Sequence, residues 1–97
     1  MRKSEVYARI ISAVFMETEI PVEIIEGRGR PAEVVDARCI LAKLLSESGL
    51  NAREIAFFMN MTARNVRRLF KLYDCRIYQH GNMIGRNSEA IRKQLGW

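Results

Sequence analysis

The sequence predicts an all-α fold, a single compact domain of four to six helices that contains a helix-turn-helix. Three observations predict it. Apolar residues recur at helical spacing in several segments, residues suited to capping stand at the starts of these segments, and glycine or proline separates them. The 97 residues, 48% of them apolar, are enough for one hydrophobic core. We therefore expect one domain spanning residues 1–97, in which residues 74–97 form a C-terminal extension.

Two helices are predicted near the N-terminus. Between Ser4 and about Met16, apolar residues recur in adjacent pairs four residues apart, which indicates a helix with Ser4 as its cap. Pro21 ends any continuation of this helix. Residues 21–25 then predict a short second helix, because proline is favoured in the first helical turn.

A basic loop and a long helix follow. Residues 27–31, Gly-Arg-Gly-Arg-Pro, predict the loop, and the apolar spacing after it predicts a helix from about Ala32 to Glu47 that Gly49 closes. A phosphate-binding glycine pattern is disfavoured because no buried strand precedes the loop. Two interpretations stay open: a plain flexible connector, or an arm whose arginines enter a narrow minor groove of DNA.

A helix, a three-residue turn and a second helix are predicted in the middle of the chain. Asn51 and Glu54 have the spacing of a capping box, and Thr62 can accept from the free amides that open the second helix. The turn is expected at residues 59–61, where Asn60 tolerates a left-handed backbone. The spacing of the apolar residues matches the DNA-binding helix-turn-helix.

The second helix of this unit, predicted from Ala63 to Tyr73, has two faces of different character. At 100° per residue, one face is apolar and contains Val66, Leu69, Phe70 and Tyr73. The opposite face is cationic and contains Arg64, Arg67, Arg68 and Lys71. A helix face that is merely solvated usually mixes both charge signs, so this row of cations favours binding to a nucleic acid.

The overall charge follows the same division of the chain. The net charge is +5, but residues 1–27 hold three Lys or Arg against five acids, while residues 28–97 hold 13 against 6. The basic part is therefore the part that contains the basic loop and the helix-turn-helix. Clustered arginine in a chain of pI about 9.7 is typical of proteins that bind phosphate backbones.

Residues from about 6 to 73 resemble the C-terminal DNA-binding domain (domain IV) of the bacterial replication initiator DnaA, in the Trp-repressor-like helical class. The resemblance rests on the order of five features, which are Ile10 and Val14, Ile24-Ile25, Val34-Val35-Asp36-Ala37-Arg38, Glu54-Ile55-Ala56 and Val66. It implies that an arginine of the basic loop, here Arg30, enters the minor groove. It also implies that Arg38 contacts the DNA backbone.

The sequence departs from that family at the start of the recognition helix. The family has Gly-Gly-Arg-Asp-His-Ser/Thr-Thr-Val, whereas residues 60–66 here are one residue shorter and lack the Asp and the His. Residues 49–69 are also similar to LuxR-type helix-turn-helices. No Gly-x-x-x-x-Gly-Lys-Ser/Thr occurs, so the initiator's ATPase activity and a nucleotide cofactor are not expected.

The expected partner is double-stranded DNA, in transcription regulation or replication initiation. Arg64 is the best candidate for a bidentate contact with guanine, with Thr62 and Asn65 reading bases or gripping phosphate. Arg67, Arg68 and Lys71 grip the backbone or share the base reading, and Arg28 supports Arg30 in the minor groove. A homodimer is possible, because one small domain contacts only a few base pairs of DNA.

The competing interpretation is a protein-interaction module whose exposed apolar patch contains Phe57, Phe58 or Trp97. An enzyme is not expected, because the single His80 has no nucleophile arrangement near it in the sequence. Cys39 and Cys75 form no CxxC unit, so we expect reduced thiols, no metal and a cytoplasmic location.

Two further expectations concern membranes and the C-terminal extension. The apolar run at residues 10–16 is too short for a membrane span. After Tyr73 the pattern weakens, and a short hairpin of residues 77–78 against 83–84 is one interpretation. A last helix capped by Asn87 or Ser88 is predicted to run to Leu95 and to present Ile91 and Leu95 to the core.

Overall fold

The computed structural model describes residues 2–79 and 83–97 and confirms the all-α fold. Within these residues the chain forms six helices and no strand. They are α1 (Lys3–Thr18), α2 (Val22–Ile25), α3 (Ala32–Glu47), α4 (Ala52–Met59), α5 (Ala63–Gln79) and α6 (Met83–Leu95). None of the helices in the described part combines the length and the apolar character that crossing a membrane requires.

Helix α3 is the centre of the domain, because it packs against each of the other five helices. Its inward side chains, among them Ile40, Leu41 and Leu44, have no exposed surface. The predicted bounds of this helix are confirmed. Pro31 stands immediately before the helix. After the helix, Gly49 has a φ of 104°, a value that residues other than glycine rarely adopt.

Helix α1 packs against α3 and α6 through the predicted apolar stripe, of which Ile10 and Val14 are fully buried. The predicted Ser4 cap is wrong. The helix begins at Lys3, and Arg2 occupies the capping position without a side-chain hydrogen bond. The short helix α2 is confirmed, but it begins at Val22, so Pro21 is its N-cap and not part of its first turn as predicted.

Helices α4 and α5 are joined by three residues, Asn60 to Thr62. The predicted turn lay one residue earlier, because Met59 still belongs to α4 and is 2% exposed. The capping box between Asn51 and Glu54 is confirmed, and Asn60 is left-handed with φ 57° and ψ 49°. Thr62 Oγ1 accepts a hydrogen bond from the Asn65 amide at 3.1 Å, so the expected cap of α5 is also confirmed.

The C-terminal extension differs from the prediction. Helix α5 continues past Tyr73 to Gln79, and α6 begins at Met83, so the hairpin interpretation is wrong. The expected start of α6 at Asn87 or Ser88 is wrong as well, because both residues lie inside the helix. Residues 81–82, which lie between the two strands of that predicted hairpin, are outside the described residues.

A polar contact inside the core accommodates Ser88 within α6. Ser88 is fully buried, accepts from the Tyr73 hydroxyl at 3.1 Å and donates to the Ile84 carbonyl at 2.7 Å. A buried hydroxyl is tolerated inside a helix when its hydrogen-bonding groups have partners. Ile91 and Leu95 face the core, as predicted.

Candidate nucleic-acid interface

Helix α5 is packed against the core along one face, and we call its C-terminal half, which α6 also contacts, the docked half. Its core-facing side chains Val66, Leu69 and Tyr73 are each no more than 8% exposed. Helix α6 contacts the C-terminal half, where the Tyr73 hydroxyl meets Ser88. The polar side chains of the N-terminal half are all exposed, and they are Arg64, Asn65, Arg67, Arg68 and Lys71.

These five exposed residues line one shallow groove, which we call the cationic groove. It contains four positive charges and no acidic side chain. Three other cations of the domain are paired: Lys3 with Glu54, Arg76 with Asp36, and Arg92 with Glu47 and Glu89. Within residues 2–79 and 83–97, no cation of the groove forms an ion pair, so its charge faces solvent without local neutralisation.

The start of α5 adds to this positive potential. The first backbone amides of a helix have no partners within the helix, and the helix dipole places partial positive charge there. The Thr62 hydroxyl accepts a hydrogen bond from one of these amides, that of Asn65. Arg64 is the second residue of α5, so its charge lies where the dipole also favours an anion.

The basic loop between α2 and α3 lies beside the turn that precedes α5. The same cleft is lined from the loop side by Glu26, Gly27, Arg28 and Arg30, and from the other side by the turn residues 60–62 with Met59 and Asn65; Arg38 also lines it. Arg30 also shares a second hollow with Asn65 and Arg68. Arg28 and Arg30 are both exposed. The sequence-predicted residues of the loop and of α5 therefore lie on one side of the molecule.

Arg38 does not belong to this exposed set. It is 7% exposed, and its guanidinium lies under the basic loop. Its hydrogen bonds run to four backbone carbonyl oxygens, of Ile25 at 2.7 Å, Gly29 at 2.6 Å, Gly27 at 2.7 Å and Ile24 at 3.1 Å. These bonds occupy four of the roughly five N–H donors of an arginine. Four of its donors are therefore used inside the domain, which leaves about one for the expected contact with a phosphate.

The surroundings of Arg38 also act on its protonation. Burial, with a smaller effect from the positive charge of Arg30, lowers the pKa of the Arg38 guanidinium from its ordinary value. Arginine stays charged in spite of such shifts, and the carbonyl oxygens solvate that charge in place of water.

Gly27 is a site residue whose role the sequence pattern left unassigned. A Cβ atom at this position would lie 3.1 Å from the Glu23 carbonyl oxygen and 3.4 Å from that of Ile24. A side chain here would crowd the end of α2, and the neighbouring backbone would have to shift by a few tenths of an ångström to admit it. The sequence shows that a glycine stands at this position, but only the packing shows that it lies against the carbonyl oxygens of Glu23 and Ile24.

Exposed aromatic residues form a second surface. Phe57 is 80% exposed and meets Phe58 edge-on, and Phe58 stacks on Tyr7 with ring centroids 5.2 Å apart. Trp97 is half-exposed near Arg9. Phe57 and Trp97 were expected in an apolar patch, and both are accessible.

The described part of the chain contains no group of three His, Cys, Asp or Glu side chains arranged to hold a metal ion. His80 lies outside that part. The sequence matches no protein family model, and a search of curated proteins returns no significant match.

Proposed function

We propose that this domain binds double-stranded DNA, with α4 and α5 acting as a helix-turn-helix and α5 lying in the major groove. The cationic groove is the observation that carries the proposal. Four exposed cations on one helix face, with no acid among them, fit the negative charge that DNA carries on both groove walls. An α-helix fits the width of the major groove.

Base reading falls to the first residues of α5. Arg64 lies at the N-terminal end of the helix, the part that reaches base edges in this binding mode. Its guanidinium can pair with the two acceptors of guanine. Asn65 and Thr62 are exposed beside it, although the Thr62 hydroxyl already serves as the cap of α5.

The residues further along α5 hold the DNA backbone. Arg67, Arg68 and Lys71 are exposed over the next two turns of the helix. Contacts of this kind set the register and the orientation of the protein on the duplex and are insensitive to sequence. They supply much of the affinity, which falls as salt rises.

The basic loop reaches the minor groove that neighbours the major groove occupied by α5. Arg28 and Arg30 are exposed, and Arg30 shares a hollow with Arg68 of α5. Arginine is attracted into narrow minor grooves, where the negative potential is strongest. The resemblance to the initiator domain supports the same role for Arg30 and suggests a task in replication initiation or transcription regulation.

Selection of bound duplexes from a random library, followed by titration of a selected duplex, tests the proposal. We expect selection to return a motif, and Arg64→Ala to relax the preference at one base pair at a cost of about 1–3 kcal/mol. Arg9→Ala is the matched control, because it removes an exposed arginine beside Trp97, away from the cationic groove. A symmetric motif would indicate two copies on adjacent half-sites.

The proposal fails if the wild type shows no salt-dependent binding to any duplex. Arg64 is a bystander if Arg64→Ala and Arg9→Ala bind alike.

The second candidate function is protein recognition, which the 80% exposure of Phe57 favours. An exposed aromatic ring backed by a stacked pair is typical of the anchor of an interface. A stable complex with a protein, abolished by Phe57→Ala and unaffected by Arg64→Ala, would support this function.

A further inference from the structure

We propose that Arg38 is a positioning residue for DNA binding, which sets the conformation of the basic loop and so places Arg28 and Arg30 beside α5. The inference rests on the proposed function, and it gives Arg38 a different role from the backbone contact that the family resemblance implies. The residue lies under the loop instead of on the surface that DNA would meet.

The first argument is the set of atoms that Arg38 joins. Two of its acceptors, the carbonyl oxygens of Ile24 and Ile25, belong to the last turn of α2, where helical carbonyls have no partners within the helix. The other two belong to Gly27 and Gly29 of the loop. One side chain of α3 therefore ties together the end of α2 and the loop that follows it.

The second argument is the alternation of residues in the loop. The carbonyls that Arg38 holds belong to Gly27 and Gly29, and the exposed arginines are the residues that follow each of them. Two fixed backbone points two residues apart restrict the loop on both sides of Arg28. The close approach of Gly27 to Glu23 adds a third restriction. The loop is thus held in one shape before DNA binds.

The third argument is chemical. A planar guanidinium directs its donors in fixed directions, so it can satisfy four carbonyls at once, whereas a lysine ammonium has three donors on a flexible stem. Lysine at position 38 would keep the charge but lose some of the four hydrogen bonds to the carbonyl oxygens. A phosphate contact, by contrast, would largely survive the change to lysine. The two roles of Arg38 can therefore be separated by Arg38→Lys.

The DNA experiment is a double-mutant cycle on a selected duplex, with wild type, Arg38→Lys, the loop variant Arg28→Ala/Arg30→Ala and the combination of all three substitutions. Positioning predicts that Arg38→Lys weakens binding by about tenfold and that the combined variant binds no worse than the loop variant. Melting curves establish the temperature at which every variant is folded. Additive losses, or Arg38→Lys binding like the wild type, would overturn the inference.

A second readout needs no DNA. Trypsin cleaves after Arg28 when the loop opens, whereas the bond between Arg30 and Pro31 resists it. We expect Arg38→Lys and Gly27→Ala to be cut after Arg28 at least tenfold faster than the wild type, with the product identified by mass. Gly27→Ala crowds the loop against the end of α2 and leaves the Arg38 side chain in place, so it tests the loop even if Arg38→Lys folds poorly.

The two readouts separate the inference from the proposed function. If the wild type binds no duplex, the proposed function fails and the inference with it, while the cleavage rates still show whether Arg38 holds the loop. If DNA binds but both variants are cleaved at the wild-type rate, only the inference fails.

Discussion

The hydroxyl of Tyr73 donates to Ser88 Oγ at 3.1 Å, and this bond joins the docked half of α5 to the middle of α6. Both residues are buried, at 4% and 0% exposure. The contact lies on the side of α5 away from the cationic groove. It therefore concerns how firmly the helix is held, and it is separate from the residues proposed to meet DNA.

Tyr73→Phe removes this hydrogen bond and keeps the ring in place. We expect the free energy of unfolding to fall by about 1 kcal/mol, because Ser88 loses its donor but keeps its own bond to the Ile84 carbonyl. Urea denaturation measures the change, and DNA affinity should stay as in the wild type. Tyr78→Phe is the control, since Tyr78 is 90% exposed. Equal effects of the two substitutions would contradict the prediction.

Lys71→Ala tests the proposed division between base readers and backbone contacts. Lys71 is exposed in the cationic groove, two turns beyond Arg64. We expect binding to all duplexes to weaken alike, and the slope of log affinity against log salt to fall by about one. Titration at four or five salt concentrations measures this slope. A slope equal to that of Arg9→Ala would show that Lys71 touches no phosphate.

Glu54 makes the stability of the domain depend on pH. The hydrogen bond from the Asn51 amide, and then that from Lys3, lowers the pKa of the Glu54 carboxyl. Its folded pKa therefore lies below its unfolded pKa of about 4.3. The stabilisation is present above the unfolded pKa and is lost as pH falls through the folded pKa.

Glu54→Gln should keep the capping geometry, since Gln can also accept from the Asn51 amide, but remove this pH dependence. We expect the wild type to be more stable than the variant at pH 7 and the difference to be smaller at pH 3, below the unfolded pKa of about 4.3. Denaturation curves at both pH values measure it. A difference that stays constant with pH would show that the charge of Glu54 contributes nothing.

Glu19 and Asn60 have left-handed backbone although neither is glycine, with φ 60° and 57°. This conformation costs most side chains about 1–2 kcal/mol, but less for Asn. We therefore expect Glu19→Gly to raise the free energy of unfolding by about 1 kcal/mol and Asn60→Gly to raise it less. Thermal melting compares the two. A larger gain at Asn60 would contradict the ranking.

The two cysteines should differ in reactivity. Cys39 is fully buried, and burial raises the pKa of its thiol to about 11, while Cys75 is exposed. At pH 8 only about one Cys39 thiol in a thousand would then be ionised, even before access is considered. We expect one fast-reacting thiol per native chain in a colorimetric thiol assay, none in Cys75→Ser and two after denaturation. Fast labelling of native Cys75→Ser would contradict the prediction.

The sequence predicted best where the stop and start signals are local. Pro31 and Gly49 bracket α3, and its bounds were predicted without error. Asn51 and Glu54 form the capping box that their spacing indicates. These signals are reliable because the interacting atoms lie within one or two turns of the chain.

It predicted poorly where a polar residue occupies a core position. Ile84, Ser88, Ile91 and Leu95 have helical spacing, but the serine interrupts the apolar pattern and was interpreted as a cap. Only the packing shows that Tyr73, fifteen residues away, donates a hydrogen bond to the Ser88 hydroxyl. The same reason applies to Arg38, whose four acceptors lie 9 to 14 residues before it.

The separation of the two faces of α5 also bears on how such a domain diversifies. The side chains that hold the helix against α3 and those of the cationic groove are different residues. Exchanging Arg64 or Asn65 would therefore leave the hydrophobic contacts intact. On the proposed function, such exchanges would change the DNA sequence that is recognised while the fold is kept, and a laboratory library randomised at these exposed positions would start from a pool of mostly folded members.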